Sequence, residues 1–362
     1  MIEPVNDKVF SQAIRHSIDM ERLKTAEVHE LVGFFNKEVE PDLMAKIEKH
    51  LGKGTVTEKR LKELAKANKA VVAAGYQQME DDFTESLKDI GVTEAEWNAA
   101  MLAKTVPIAI DFRTPHLGVL KGAIAKTPVH GKLLKDWFKS TGEQTSARVM
   151  QQVNIGMAQG ESIDKIVRRI KGTQAAKYSD GILQESRRNI AAIVRTAIAQ
   201  TANFSREEVY KANADVIKGV QMVATLDSRT TDICMAIDGK VFGVGEGPRP
   251  PFHWQCRTMT VPVLRSWKEL GINLKEAPVG TRASMNEQVP AKTTYPAWLK
   301  TQSVEVQNDA LGPVRARLFR QGKVKIDRFV KDGRTLTLRE LRKREGLSVS
   351  DIAVKVAKKK AS

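Results

Sequence analysis

Both cysteines of the chain, Cys234 and Cys256, lie within the stretch from Asp227 to Arg257, and His253 stands three residues before the second. Two thiolates and an imidazole are three of the four donors that a tetrahedral zinc takes. The stretch contains a Gly/Pro loop, Gly243 to Pro251, and has little core of its own, so a crosslink would help hold it. The fourth donor is open. Asp227, Asp232 or Asp238 can supply an oxygen, and the chain has no third cysteine. Two other readings stand beside zinc. The thiols can pair as a disulfide, which a reducing cytoplasm disfavours. They can also be small buried apolar groups, with His253 hydrogen-bonded locally.

Catalysis by the same residues would need more. A hydrolytic zinc site combines its ligands with a carboxylate base and an open coordination position. The chain has no H-E-x-x-H, no deaminase H-x-E…P-C-x-x-C pattern and no phosphate-binding G-x-x-x-x-G-K-[ST]. Gly243-Val244-Gly245-Glu246-Gly247 has the look of a dinucleotide loop, but Pro248-Arg249-Pro250-Pro251 follows it instead of a helix N-terminus. No catalytic residue is assigned. The enzymatic alternative is a metal-dependent nuclease built around Asp227, His253 and the cysteines. Arg229 and Arg257 flank the stretch, as phosphate contacts or as arginines that pair within the loop.

The elements that must position these residues read as α+β, mostly α. Leu61, Leu64, Val72, Tyr76, Met79, Phe83 and Leu87 recur at helical spacing behind a Thr55/Glu58 capping signal. They predict a long helix ending near Ile90-Gly91. Thr93 and Glu96 open a shorter one, stopped by Pro107. Leu133 to Phe138 begin another helix, and Val149, Val153 and Met157 belong to a further one stopping at Gly160. Ser162 caps a helix closed by Gly172, and Ile182 to about Asn213 forms the next. Beyond 215 the period changes. Val216 to Leu226 and Arg257 to Leu264 read as strands, and Asp238-Gly239 before Lys240-Val241-Phe242 reads as a hairpin turn. The stretch 265–300 reads as irregular. A strand over Lys323 to Val330, a turn at Asp332-Gly333 and a helix from Thr337 complete the pattern. The expected organisation is an N-terminal helical region (1–105), a second helical part (106–215), a small β-rich Cys/His knot (216–265) and an irregular to basic C-terminal segment (266–362).

Charge points to a partner. The formal net charge is +16. From Arg315 to Ser362 there are 16 Lys and Arg against 5 Asp and Glu, so most of the excess sits at one end. Arg315, Arg317, Arg320, Lys323, Lys325, Arg328, Arg339, Arg342, Lys343, Arg344, Lys358, Lys359 and Lys360 can neutralise phosphates without reading bases. A solvated face is the bland reading of the same run. Aromatic residues there are few, Phe319 and Phe329, so stacking on single strands is secondary. The opening residues lack the pattern of a signal peptide, and no apolar run reaches the ~20 residues of a membrane span. The expected setting is cytoplasm, or something assembled there, with no membrane partner.

Over roughly residues 117–265 the chain resembles the head morphogenesis (minor head) family of tailed phages, of which phage Mu protein F is the type. The resemblance rests on Trp137-Phe138, Gly160-Glu161-Ser162, Arg195-Thr196 and Asn203. It culminates in the ordered set Asp227, Ser228, Arg229, Thr230, Cys234, Asp238, Gly239, Pro250, Pro251, His253, Cys256 and Arg257. Tyr295 to Leu299, Leu311 to Arg315 and Leu336 to Leu338 resemble the tails of such proteins less specifically. The resemblance implies a structural component of the procapsid, present in few copies. Its partners would be the portal protein, scaffold or capsid protein, and double-stranded DNA bound without sequence preference to assist packaging or ejection. It implies a location in host cytoplasm during assembly and then in the virion interior near the portal, and it names no catalytic residue. Many members carry another cysteine three before Cys234, giving C-x-x-C then H-x-x-C. Here that position is Thr231.

Overall fold

A computed structural model describes residues 4–52, 56–106, 110–271 and 281–353. The first two-thirds are helical: α1 (Pro4–Phe34), a π-helical turn (Phe35–Val39), α2 (Glu40–Leu51), α3 (Glu58–Thr105), α4 (Leu117–Ile124), α5 (Leu134–Ala158), α6 (Ile163–Lys171) and α7 (Leu183–Ala212). Helix α3 is the spine, with α1, α2, α4, α5 and α7 all packed against it. Its apolar stripe, Leu64, Val72, Tyr76, Met79, Phe83 and Leu87, is buried throughout. Tyr76 meets Phe35 and Phe138 edge-on, so three elements share one aromatic contact. The cap of α3 is Thr57, which accepts the Arg60 N–H; Thr55 lies outside the described residues. Ser162 caps α6 as expected, accepting the Lys165 N–H, and Gly172 ends that helix at φ +96.

Two expected helix breaks are absent. Helix α3 runs unbroken through Gly91 to Thr105. A Cβ at Gly91 would stand 2.2 Å from Ile124 Cδ1 and 3.0 Å from Ser205 Oγ. The glycine therefore lets α4 and α7 close onto α3, and the packing gained there outweighs its weak helix propensity. Helix α5 likewise continues from Leu134 to Ala158, with Gly142 buried against the Tyr76 ring.

A three-stranded antiparallel sheet follows, with β1 (Ile217–Val223) between β2 (Val241–Phe242) and β3 (Met259–Leu264). Val220 stands opposite both Phe242 and Pro262. All six residues of β3 are buried, because α1 and α7 pack against it. These helices, β1 and β3 share one apolar core.

The C-terminal region forms regular elements over 281–353, including the part of 265–300 read as irregular that the structure describes from residue 281 on. It contains the hairpin β4 (Thr281–Ala283) and β5 (Gln288–Pro290), then α9 (Tyr295–Thr301), α10 (Val304–Leu311) and α11 (Pro313–Arg320). A 3-10 turn (Ile326–Phe329), the hairpin β6 (Val330–Lys331) and β7 (Arg334–Thr335), α12 (Leu338–Glu345) and α13 (Val349–Ile352) complete it. Its own core gathers Tyr295, Trp298, Leu299, Leu318, Phe329 and Leu341, and takes in Leu226 and Met235 from the preceding region. No helix here exceeds eight residues, too short for a period to show in the sequence. Of the strand expected over Lys323 to Val330, only Val330 is in a strand, and Ile326–Phe329 form the 3-10 turn. The turn at Asp332-Gly333 is present, both residues at positive φ, and the helix expected from Thr337 is α12, whose start the structure closes with a capping box of Thr337 and Glu340.

Candidate metal centre and basic surface

The sheet does not close by a two-residue hairpin at Asp238-Gly239. Between β1 and β2 the chain inserts α8 (Asp232–Ile237), and Gly239 (φ +80) turns it from the helix into β2. Helix α8 carries Cys234 into the interior. Asp238 is a buried acceptor, bonded by the N–H groups of Ala224 (2.7 Å) and Tyr295 (2.6 Å) and paired with the buried Arg282 guanidinium. Arg282 also donates to the carbonyls of Ala224 and Thr293. This pair joins the strand that leaves β1, α8 and the C-terminal region at one point.

The second cysteine is placed by a loop clamped to α7. Glu207 on α7 accepts from the Gly245 N–H (2.7 Å) and from two nitrogens of Arg249, which also donates to the Gly243 carbonyl. Gln255, at φ +58, donates its N–H to Thr196 Oγ1, again on α7. Cys256 then bonds back to the His253 carbonyl in a tight turn. Glu207, Arg249 and Arg282 were not legible as site residues, since each is an ordinary polar residue until the fold brings its partner, while Thr196 was legible only as part of the Arg195-Thr196 resemblance.

These supports bring Cys234, His253 and Cys256 together. Cys234 Sγ is 3.1 Å from His253 Nε2 and 3.7 Å from Cys256 Sγ, and both cysteines are buried. The three donor atoms lie within 4.8 Å of one another, and among the described residues no other His, Cys, Asp or Glu joins such a group. His253 Nδ1 is 2.8 Å from the Trp254 carbonyl, which can only accept, so Nδ1 carries a proton and Nε2 is the nitrogen that faces the sulfurs. Cys234 donates to Cys256, which with His253 holds the Cys256 thiol well below its usual range. That same bond, together with burial, pushes Cys234 up.

The aspartates proposed as a fourth donor are committed elsewhere. Asp227 accepts both ends of the Arg257 guanidinium (2.6 and 2.8 Å), together with the Thr230 hydroxyl and the Arg229 N–H. Burial raises its pKa, but the Arg257 bonds outweigh that and hold it below the usual carboxylate range. Asp232 is raised by burial and faces Arg315 and Thr335 of the C-terminal region. Asp238 belongs to Arg282. Arg257 is accordingly a loop-pairing arginine, while the Arg229 side chain is 82% exposed, 3.7 Å from Asp227. Ser228 precedes it, and Pro250-Pro251 enters the His253 turn through a cis peptide bond.

The basic residues divide in the same way. Arg315 caps the Leu336 carbonyl, Arg317 the carbonyls of Asp351 and Ala353, and Arg320 the side-chain oxygens of Gln307 and Asn308. Lys323 pairs with Asp351 and Arg328 with Glu345, and Arg344 bonds the carbonyls of Arg328 and Val330. These six hold the C-terminal core together. Arg339, Arg342 and Lys343 have no such partner among the described residues, and at i, i+3 and i+4 they share one face of α12, opposite the buried Leu341. Lys325 is also exposed, and Lys358, Lys359 and Lys360 lie outside the described residues.

Residues 147–261 match the family model described as Phage Mu protein F like protein, so the resemblance holds over the segment that contains α6, α7, β1, β2, the start of β3 and all three Cys/His residues. No curated protein and no solved structure matches the chain. Among the described residues no helix is long and apolar enough to cross a membrane.

Proposed function

We propose that the protein is a structural minor head protein of a tailed phage, associated with the portal in the procapsid, that holds double-stranded DNA by its phosphates. The match over residues 147–261 carries this reading. The helical body and its clamped knot act as a rigid scaffold for docking on portal, scaffold or capsid protein. The α12 face formed by Arg339, Arg342 and Lys343 supplies the DNA contact, together with Lys358, Lys359 and Lys360. Cations without an internal partner are free to displace counterions from a duplex, whereas the capping arginines already spend their hydrogen bonds on carbonyls. Packaging or ejection is the step such a contact would assist, and the virion interior is where it would operate.

Salt-dependent duplex binding tests this. Replacing Arg339, Arg342 and Lys343 by Gln should reduce the steepness of log K against log salt by roughly 3, about one unit for each phosphate no longer neutralised. An unchanged slope would remove α12 from the interface. A nuclease reading gains no support from the knot, whose candidate carboxylate, Asp227, is taken at both oxygens by Arg257. Plasmid DNA should remain intact with magnesium, manganese or zinc.

A further inference from the structure

We propose that Cys234, His253 and Cys256 bind one zinc ion as a structural crosslink, with a water in the fourth position beside Thr231. This goes beyond the proposed head function and stands independently of DNA or portal binding.

Four observations fit the ion. Two thiolates at ~2.3 Å from a tetrahedral zinc stand about 3.8 Å apart. The sulfurs here are 3.7 Å apart, so little movement is needed. The imidazole is held with Nε2 toward them by the bond from Nδ1 to the Trp254 carbonyl, as metal-bound histidines usually are. Thr231 Oγ1, on the residue that caps α8, is buried without a hydrogen-bond partner of normal geometry. It lines a cavity of about 30 Å³ together with Cys234, His253, Thr230 and Thr258, which is room for a single water. A zinc-bound water there would also satisfy the orphaned hydroxyl.

Charge and position agree with this. On binding, both thiols release their protons to solvent, and two thiolates balance the divalent ion while the imidazole stays neutral. The carboxylates that could have been ligands are held by Arg257 and Arg282, so the donor set is nitrogen and sulfur, which favours zinc over hard cations. The crosslink would tie α8 to the turn before β3, where the apolar group formed by Ala224, Cys234, Cys256 and Phe252 is small.

The experiment uses the full chain purified under reducing conditions. Elemental analysis should find one zinc per chain. Cobalt exchanged into the site should give thiolate-to-metal charge transfer with the intense d–d bands of a tetrahedral ion. His253→Ala should weaken zinc binding at least tenfold. Thr231→Cys supplies the missing ligand, so it should tighten zinc binding by on the order of tenfold or more and strengthen the cobalt charge-transfer band. Because Thr231→Cys is a gain, it reads the site even if Cys234→Ser or Cys256→Ser fails to fold. Three results would overturn the proposal: no zinc at stoichiometric level, affinity unmoved by both His253→Ala and Thr231→Cys, or a native chain two hydrogens lighter than its reduced form, which is a disulfide.

Discussion

Asp238 and Arg282 are separated by 44 residues, yet their side chains are 0% and 2% exposed and hydrogen-bonded to each other. Asp238→Asn can keep only one of the bonds from Ala224 and Tyr295, which go to different carboxylate oxygens, and leaves a buried guanidinium without its counter-charge. Removing one partner of such a pair costs about 3–5 kcal/mol, which urea denaturation of the variant should show. Glu94 is the second buried charge of this kind. Burial raises its pKa, but the guanidinium of Arg206 and the bond from His16 outweigh it and hold the carboxyl at about 2, below its ordinary 4.5. A depressed folded-state pKa gives stability that is complete above pH ~4.5 and is lost as pH falls toward 2. Glu94→Gln should therefore flatten the acid limb of the stability profile, and it should destabilise the protein at neutral pH because Arg206 loses its partner. An acid limb as steep as that of the unaltered chain would show that Glu94 does not set it.

At the scale of elements, a glycine that read as a stop is a packing residue. Gly91 sits in the middle of a 48-residue helix where two other helices approach. Gly91→Ala raises helix propensity yet places a methyl 2.2 Å from Ile124. The gain is at most ~1 kcal/mol, and overpacking costs typically ~1–3 kcal/mol, so the variant should be less stable. Pairing it with Ile124→Val should recover part of the loss, and a failure to recover would place the strain at Ser205 or Thr201 instead. The same logic separates the arginines of α11 and α12. Arg317 and Arg344 hold carbonyls of neighbouring turns and should cost stability when truncated, while Arg339, Arg342 and Lys343 should not.

For the whole molecule, the second core decides how the basic end can be studied. Leu226 and Met235, inside the F-like segment, pack with Tyr295, Trp298 and Phe329 far along the chain. A truncation ending near residue 314 removes Leu318, Phe329 and Leu341 from that core and uncovers α8. It should lower the thermal midpoint of the Cys/His region as well as remove the cations. A chain ending at residue 353 should keep the midpoint and lose only the contribution of Lys355 and Lys358 to Lys360, which makes it the cleaner test of that segment. Equal midpoints for the two truncations would mean that the second core does not support the knot.

The sequence by itself determined the mostly helical character, the cap at Ser162, the helix start near Thr337, strands within Val216 to Leu226 and Arg257 to Leu264, the F-like motif, and the trio Cys234, His253 and Cys256. Each of these is carried by local chemistry: a period of apolar residues, a hydroxyl at a helix start, or donor types at close spacing. Only the tertiary structure decided the rest. Gly91 became a helix interior, Asp227 and Asp238 became partners of arginines rather than ligand candidates, and the tail arginines became caps of a second core. A carboxylate or guanidinium looks the same in sequence whether it faces a metal, a phosphate or a carbonyl. Which of these it meets depends on residues dozens of positions away, because desolvation forces each buried charge onto whatever counter-group the packing brings within hydrogen-bond reach.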